Sequence, residues 1–461
     1  MLVSEGKFII YQLLLRTFGD RQWTPGGTYV DNGSGKFTDI TLKQLKAWKR
    51  QLSLSAIWYT GVIDHATTTE FQGVPASEPN QVKGKAGSPY AIRNYYDVAP
   101  ELAKKCDCRM AEFEAMIERT HKAGLKAFID FVPNHTACGY RSETSPFSKE
   151  NYHLNHDGTL YHDGDWTDTA KLNYGNRETW EKMLGILRFW AGKGVDGFRC
   201  DLVELVPPDF FEWTFRELRK EFPHLTFIAE VYQKERYREY LAAGFDYLYD
   251  KCGTYDALKA ISRGERSADT FSWEWQSLGD LQPHMRNFLE NHDEQRIASQ
   301  FFLGNGMKAK PALMCSLLFN TAPFMIYSGQ EYGEKAMVSE GFSGVDGRTS
   351  IFDFCTLSGE KDYQVEEMYE ELLKLAAGDE VFRIGDTYDL IYLNRSDKVV
   401  SFIRSCGKKA ALVVASFAHH DIEMKVSIPQ EVYDFLKIER FKPFEETLKI
   451  QPYNGLIIKN Y

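Results

Sequence analysis

Eight short apolar segments that alternate with helical patterns are the feature of this sequence that most restricts its fold. The intervals between them carry apolar residues at three- and four-residue spacing, as in TLKQLKAWKRQL and RETWEKMLGILRFWAGKG. Strands that alternate with helices form parallel βα units, and eight such units predict a closed (β/α)8 TIM barrel. The predicted strands are FIIYQLLL (8–15), SAIWYT (55–60), KAFIDFV (126–132), VDGFRC (195–200), TFIAE (226–230), FDYLY (245–249), NFLE (287–290) and PFMIY (323–327).

Two parts of the chain depart from this alternation. Residues 136–173 are rich in His, Asp, Tyr, Gly and Ser and have no helical period, so we expect a small subdomain inserted after strand 3, over the mouth of the barrel. From residue 381 onward, the short strand patterns TYDLIYL, VVSFIRS, AALVVASF, EMKVSI and NGLIIKN predict a C-terminal antiparallel β-sandwich domain over 381–461. The barrel is then expected to comprise residues 1–135 and 174–380.

Charge and composition exclude several classes of partner. The 461 residues carry a formal net charge of -10, so the chain lacks the basic character that nucleic acids and anionic membranes select, and we expect a neutral ligand. The longest charge-free run, 311–330, contains two prolines and predicts a helix, a turn and a strand rather than a membrane span. The first 20 residues lack a basic region and a cleavage site, which predicts a cytoplasmic protein.

Four of the predicted strands end in polar clusters, at the edge where barrels of this type carry their chemistry. Arg199 and Asp201 are two residues apart, so both side chains point to the same side of their strand. The arginine is expected to keep the carboxylate ionised, as a nucleophile requires. The clusters are FIDFVPNH (Asp130, Asn134, His135), GFRCD (Arg199, Asp201), FIAE (Glu230) and NFLENHD (Asn291, His292, Asp293).

The carboxylates at the ends of strands 4 and 5 have the placement of a glycosidase pair. Neighbouring strands lie about 4.8 Å apart, so the carboxyl groups of Asp201 and Glu230 are expected about 5 Å apart. This separation is typical of retaining enzymes, in which one carboxylate attacks the anomeric carbon and a buried, protonated one protonates the leaving oxygen. Glu230 would be that acid. Asp293 would stabilise oxocarbenium-like charge or bind sugar hydroxyls, with His135 and His292 hydrogen-bonding the same ring.

Other interpretations of these residues stay open. A single carboxylate at a strand end can be a cap or a member of an ion pair, and the adjacent His292 and Asp293 can form a structural hydrogen bond or hold a metal. A metal-hydrolase site can be drawn from His135, Asp201, Glu230 and His292. We do not predict a metal site, because the sequence lacks the H-x-H and H-E-x-x-H spacings and the charge of Arg199 would oppose a cation.

In this order, the four clusters resemble the conserved regions of the α-amylase family, glycoside hydrolase family 13. The resemblance spans roughly residues 8–335. The segments that carry it are DFVPNH (130–135), GFRCD (197–201), the AEV around Glu230 and FLENHD (288–293), which are similar to the first to fourth regions, and IYSGQE (326–331), which is similar to the end of the eighth strand.

The resemblance implies a role for each site residue. Asp201 would be the nucleophile, Glu230 the general acid/base and Asp293 the transition-state stabiliser. The residues implied to hold the reacting sugar are Arg199, His135, His292 and Tyr90, the last by stacking. The insert at 136–173 would be the family's B domain.

Several positions depart from the family pattern. The segment AKLN (170–173), which is similar to the neopullulanase type, stands where many α-amylases have an Asp calcium ligand, and Glu204 and Leu205 stand where they have Lys-His. With Lys171 and Leu205 at usual ligand positions, we expect that the B-domain calcium is not bound and that no cofactor is required. Ser88 stands where a sugar-binding His often precedes the stacking Tyr.

The function that the resemblance implies is a retaining α-glucan hydrolase. It would cleave α-1,4 bonds of starch- or glycogen-derived oligosaccharides through a covalent glycosyl-Asp201 intermediate. The alternatives are a 4-α-glucanotransferase, in which a sugar hydroxyl intercepts that intermediate before water, and a neopullulanase- or cyclomaltodextrinase-like hydrolase with some α-1,6 activity. A non-catalytic carbohydrate-binding protein on this fold would have no reason to keep Asp201, Glu230 and Asp293 together.

Overall fold

The structure is a computed structural model that describes residues 6–19, 23–139, 145–336, 346–393, 398–441 and 447–461. Eight parallel strands, numbered β1–β8 in chain order, close into the predicted barrel. Each strand pairs with its neighbours in sequence, and β1 pairs with β8 to close the ring. The strands are β1 Ile9–Leu14, β2 Ala56–Thr60, β3 Lys126–Phe131, β4 Gly197–Cys200, β5 Thr226–Ala229, β6 Tyr247–Tyr249, β7 Met285–Phe288 and β8 Phe324–Tyr327.

The helices between the strands follow the predicted periodicity. Leu42–Leu52 begins where the side chain of Thr41 accepts a hydrogen bond from the backbone of Gln44, and it ends at Ser53, which is in the left-handed region. Among the described residues, no helix has both the length and the apolar character needed to cross a membrane. The other α-helices are Tyr29–Asn32, Arg109–Lys122, Arg177–Gly192, Pro208–Arg219, Tyr237–Ala242, Asp256–Ser262, Asp269–Leu278, Lys310–Leu318, Tyr363–Gly378, Glu380–Arg383 and Gln430–Leu436.

Alternate residues of the strands face two separate cores, because successive side chains of a strand point to opposite faces. One set, which includes Ile9, Ile57, Ile129 and Cys200, packs in the large core that also contains the buried faces of the helices. The inward-facing set fills the barrel with Phe8, Ile10, Ala56, Trp58, Phe128, Ile228, Tyr249, Tyr255, Phe288 and Met325. Beyond this apolar layer, the inward positions near the carboxyl ends are polar, at Gln12, Thr60, Asp130 and Arg199. The apolar residues therefore form the floor of a polar site.

Two excursions extend from the carboxyl ends of neighbouring strands. After β2, the strand Ile63–His65 pairs antiparallel with Ile92–Val98, and this hairpin was not among the predicted elements. After β3, inside the segment predicted to be an insert, His135–Ala137 pairs antiparallel with Thr169–Lys171. Both excursions bring polar loops to the edge of the barrel at which Asp130 and Arg199 lie.

The C-terminal part of the chain contains two antiparallel sheets, which confirms the predicted β domain. Residues of both sheets and of the helix Gln430–Leu436 share one hydrophobic core. The pattern TYDLIYL is a strand only in its first half, because the chain turns after Leu390 and forms the 3-10 turn Ile391–Leu393. The first sheet has the order Asp386–Asp389, Val399–Cys406, Lys409–Ser416, Gly455–Lys459, and the second pairs Ile422–Lys425 with Thr447–Ile450.

Candidate active site

Asp201 and Glu230 lie side by side at the ends of β4 and β5. The two strands are in parallel register with Cys200 opposite Ala229, so each carboxylate follows its strand by one residue. The backbone N–H of Glu230 donates to the carbonyl of Cys200 at 3.0 Å, which extends the pairing to this position. Both side chains are buried, with Asp201 4% and Glu230 3% exposed. The sheet register thus fixes the two carboxylates as neighbours.

The guanidinium of Arg199 connects these carboxylates. Its Nη1 contacts Oδ1 of Asp201, and its Nη2 lies 2.7 Å from Oε1 of Glu230. Its Nε donates to the hydroxyl of Tyr249 at 3.0 Å, and Asp130 lies 3.7 Å from Nη1. A planar guanidinium can hold two carboxylates at once through separate nitrogens. The position next to both carboxylates, where a metal hydrolase would hold its cation, is therefore occupied by a positive side chain of the protein itself.

Two further donors to the carboxyl group of Glu230 come from residues that the sequence did not single out. The hydroxyl of Tyr232 donates to Oε1 of Glu230 at 2.7 Å, and the backbone N–H of Leu202 donates to Oε2 at 2.9 Å. Leu202 is in the left-handed region with φ 42°, an uncommon conformation for a residue with a branched side chain. This local turn directs its N–H to the carboxylate, and such conformations are concentrated at functional sites.

Burial and like charge affect the protonation of two of the three carboxylates. Burial raises the pKa of Glu230, and the charge of Asp201 adds to the rise, whereas Arg199 opposes it. Removal from water inside the cleft, followed by the charge of Glu230, raises the pKa of Asp293 to about 7, although 42% of that side chain is still exposed. The shift of the Glu230 pKa is in the direction that a general acid requires.

His292 is held by contacts at both ring nitrogens. The amide nitrogen of Gln12 donates to Nδ1 at 2.7 Å, which places the ring hydrogen on Nε2. Nε2 lies 2.5 Å from the hydroxyl of Tyr90 and 3.2 Å from Oδ2 of Asp293. Burial, followed by the nearby arginine charges, lowers the pKa of His292 well below its usual value. His292 is therefore a neutral residue, oriented by the unpredicted Gln12.

Tyr90 and His135 complete one wall of the cleft. The ring of Tyr90 stacks on His292 with 5.4 Å between centroids, and the guanidinium carbon of Arg199 lies 5.3 Å from the Tyr90 ring. His135 is buried, and its ring lies 5.8 Å from that of Trp166 in the insert. Burial lowers the pKa of His135 to about 4, against a hydrogen bond with the Tyr90 backbone. The structure thus brings all seven predicted site residues together, and their roles stay predictions.

A lysine, Lys171, stands at the position where the family's pattern has a calcium ligand. Nζ of Lys171 lies 2.7 Å from Oδ1 of Asp163, and the amide nitrogen of Asn134 donates to Oδ2 of the same carboxylate at 3.0 Å. Both oxygens of Asp163 are therefore engaged by donors. Leu205, at the other expected ligand position, has no oxygen in its side chain. These residues do not fit a calcium ion, and in the described ranges no group of three or more His, Cys, Asp and Glu side chains could hold a metal.

The sequence and the fold are similar to those of α-amylases and related proteins. The sequence model described as alpha amylase, catalytic domain, matches residues 31–243. Alpha-amylase MalA of Haloarcula japonica is 25% identical over 435 residues, which are 89% of this chain and 55% of that protein, so this chain spans about half the length of that relative. Neopullulanase 2 of Thermoactinomyces vulgaris is 22% identical, over 87% of this chain and 70% of that protein. The crystal structure of an α-amylase from Lactobacillus plantarum has the same fold, with a TM-score of 0.74 and 22% identity, over 100% of this chain and 99% of that one.

Proposed function

We propose that this chain, which belongs to the α-amylase family through its residues 31–243, is a retaining α-glucan hydrolase that cleaves α-1,4 bonds of starch- or glycogen-derived oligosaccharides. The observation that carries the proposal is the placement of Asp201 and Glu230 on neighbouring strand ends, with one guanidinium bound to both. Retaining glycosidases need two carboxyl groups about 5 Å apart, one ionised and one protonated. The guanidinium of Arg199 contacts Asp201, the proposed nucleophile, and burial raises the pKa of Glu230, the proposed acid.

The proposed reaction has two steps. In the first, the carboxylate of Asp201 attacks the anomeric carbon and the proton of Glu230 passes to the glycosidic oxygen, so that the bond to the leaving chain breaks as the bond to Asp201 forms. In the second, Glu230 accepts a proton from a water molecule, whose oxygen displaces Asp201 from the same carbon. Two displacements on one carbon retain the α configuration.

The other residues of the site are proposed to bind the reacting sugar. Asp293 would face the positive charge that develops at the anomeric carbon, since its carboxylate lies at the open side of the cleft beside His292. Tyr90 offers an aromatic face to the sugar, and the neutral imidazoles of His135 and His292 are suited to hydrogen bonds with hydroxyl groups.

We also propose that the enzyme acts without calcium and without another cofactor. The ammonium group of Lys171 pairs with Asp163 at the position where the family's pattern has a calcium ligand. A cation placed there would meet a positive charge and a carboxylate that already accepts two hydrogen bonds. The lysine thus replaces the charge of the ion and links Asp163 to the strand Thr169–Lys171.

The test of the proposed function compares two aspartates of the same segment. Asp201→Asn should lower the hydrolysis of a chromogenic maltooligosaccharide at least about 10³-fold. Asp196→Asn is the matched control: Asp196 precedes β4 and accepts a hydrogen bond from the backbone of Ala127, outside the cleft, so the folded variant should stay active. Unchanged hydrolysis by Asp201→Asn would remove this site from the mechanism.

Product analysis separates the related activities. With maltoheptaose, hydrolysis gives shorter chains whose new reducing ends are in the α configuration, which proton NMR detects before mutarotation. Chains longer than the substrate would instead indicate a 4-α-glucanotransferase. Cleavage of pullulan or of cyclodextrins would indicate the neopullulanase- or cyclomaltodextrinase-like alternative.

A further inference from the structure

Glu204 accepts backbone hydrogen bonds that have no part in the proposed mechanism. It lies in the 3-10 turn Val203–Leu205, directly after β4, and its Oε1 accepts hydrogen bonds from two consecutive backbone N–H groups. These are the N–H of Tyr232 at 2.9 Å and the N–H of Gln233 at 2.5 Å. The carboxylate of Glu204 therefore fixes the backbone of Tyr232 and Gln233, directly after Glu230 at the end of β5.

Tyr232 connects this fixed backbone to the carboxyl group of Glu230. Its hydroxyl donates to Oε1 of Glu230 at 2.7 Å, and Nη2 of Arg199 lies 2.7 Å from the same oxygen. Within the part of the chain that the structure describes, Oε2 receives one hydrogen bond, from the backbone of Leu202 at 2.9 Å. The two oxygens thus differ: Oε1 accepts two donors, one of them charged, whereas Oε2 has a lone pair left for a proton.

We propose that Tyr232 and Glu204 are positioning residues that confine the transferable proton of Glu230 to Oε2, with Tyr232 acting on the carboxyl group and Glu204 acting through Tyr232. The inference rests on the proposed function, in which Glu230 is the general acid. A proton on Oε1 would displace either the phenol or the guanidinium, so these donors favour the proton on Oε2.

The same geometry determines how the pH profile should change when the phenol is removed. A hydrogen bond donated to a carboxylate favours its ionised form, so the loss of the hydroxyl in Tyr232→Phe should raise the pKa of Glu230. The alkaline limb of the pH profile, above which the acid is deprotonated, should then move to higher pH by about 0.5–1 unit. Below that limb kcat should fall about 3- to 10-fold, because the proton is then shared between the two oxygens.

The experiment is a double-mutant cycle on the full chain, with pH profiles of kcat and kcat/KM for maltoheptaose. Tyr232→Phe and Glu204→Ala should both move the alkaline limb to higher pH, the second by less, and the double variant should match Tyr232→Phe. Glu204→Gln should restore the wild-type limb, because its amide oxygen can accept the same two N–H groups. Tyr240→Phe is the matched control: it loses a hydroxyl that donates to the carbonyl of Val203 at 3.1 Å, and the limb should not move.

Two results would overturn the inference. One is an unmoved alkaline limb in Tyr232→Phe, and the other is a double variant in which the separate effects of Tyr232→Phe and Glu204→Ala multiply. If Glu204→Ala does not fold, Glu204→Gln and Tyr232→Phe still decide the matter. Glu230→Gln distinguishes a failure of the proposed function from a failure of the positioning role. If this variant keeps activity near the wild-type value, Glu230 is not the general acid and the proposed function fails. If it loses activity while the alkaline limb of Tyr232→Phe does not move, only the positioning role fails.

Discussion

Nη2 of Arg199 lies 2.7 Å from Oε1 of Glu230, and the other terminal nitrogen of the same guanidinium contacts Asp201. The site therefore carries one buried positive charge between two buried carboxyl groups that need different protonation states. The guanidinium offsets the cost of burying the Asp201 anion, while burial raises the pKa of Glu230 in spite of this contact. The shared guanidinium thus holds the two carboxyl groups together, whereas burial shifts the pKa of Glu230 in the direction that a general acid requires.

Replacement of Arg199 by lysine should show how much the shared contact contributes. An ammonium group is a single point charge, so it can hold one of the two carboxylates in this geometry but not both through separate nitrogens. We expect kcat/KM for maltoheptaose to fall about 10²- to 10³-fold. Steady-state kinetics, with circular dichroism as the control for folding, would check this, and a loss of less than threefold would contradict it.

The pH dependence of hydrolysis should have an alkaline limb set by Glu230 and its charged neighbours. The acid must be protonated to donate, so activity is present below its raised pKa and is lost as the pH rises through it. Because Asp293, with a pKa of about 7, is coupled to Glu230, the limb belongs to the group rather than to one residue. A nitrophenyl maltooligoside, whose leaving group needs less protonation, should show a weaker limb than maltoheptaose, and equal limbs would argue against Glu230 as the acid.

Tyr90 should contribute through its ring more than through its hydroxyl. Tyr90→Ala removes the ring that stacks on His292 and that is proposed to contact the sugar, and we expect kcat/KM to fall about tenfold. Tyr90→Phe removes the 2.5 Å contact with Nε2 of His292 but keeps the ring, so the loss should be about threefold or less. Kinetics on maltooligosaccharides would rank the two variants, and the reverse order would contradict stacking.

Chelation should leave the activity unchanged. Lys171 supplies the positive charge beside Asp163, so activity after dialysis against EDTA should equal that of the untreated enzyme. Lys171→Met should lower the free energy of unfolding by about 1 kcal/mol, because Asp163 then lacks its cationic partner. Denaturant unfolding would measure the change, and the loss of most activity in EDTA would show that the site depends on a metal.

Much of the fold could be predicted because the barrel strands and their helices have strong local patterns. Strands such as Ile9–Leu14 and Lys126–Phe131 are mostly apolar and buried, since one face packs inside the barrel and the other under the helices, and their inward polar residues Gln12 and Asp130 lie near the carboxyl ends. The strand Thr447–Ile450 was missed because only Ile450 of its four residues is buried. The hairpin after β2 was missed because the strand Ile63–His65 has only three residues.

The chemically active residues were predictable for a similar reason. Asp201 and Glu230 each end a recognisable strand, and parallel strands in sequence order become neighbours in a barrel. The residues that orient the side chains of the site were not predictable from local patterns. Gln12 contacts His292 across 280 positions of the chain, and Glu204 contacts the backbone of Tyr232 across 28.

The sequence by itself determined the barrel, its strand order and the carboxylates at the strand ends, because these follow from periodicity and from the position of polar residues after apolar strands. Three contacts were decided only by the tertiary structure. They are the hydrogen bond from the Tyr232 hydroxyl to Oε1 of Glu230, the hydrogen bond from the Gln12 amide to Nδ1 of His292, and the ion pair of Lys171 with Asp163. The contact of Gln12 with His292 joins segments that are 280 positions apart. The other two contacts join residues that are close in sequence, but they too depend on distances and angles that no local pattern records.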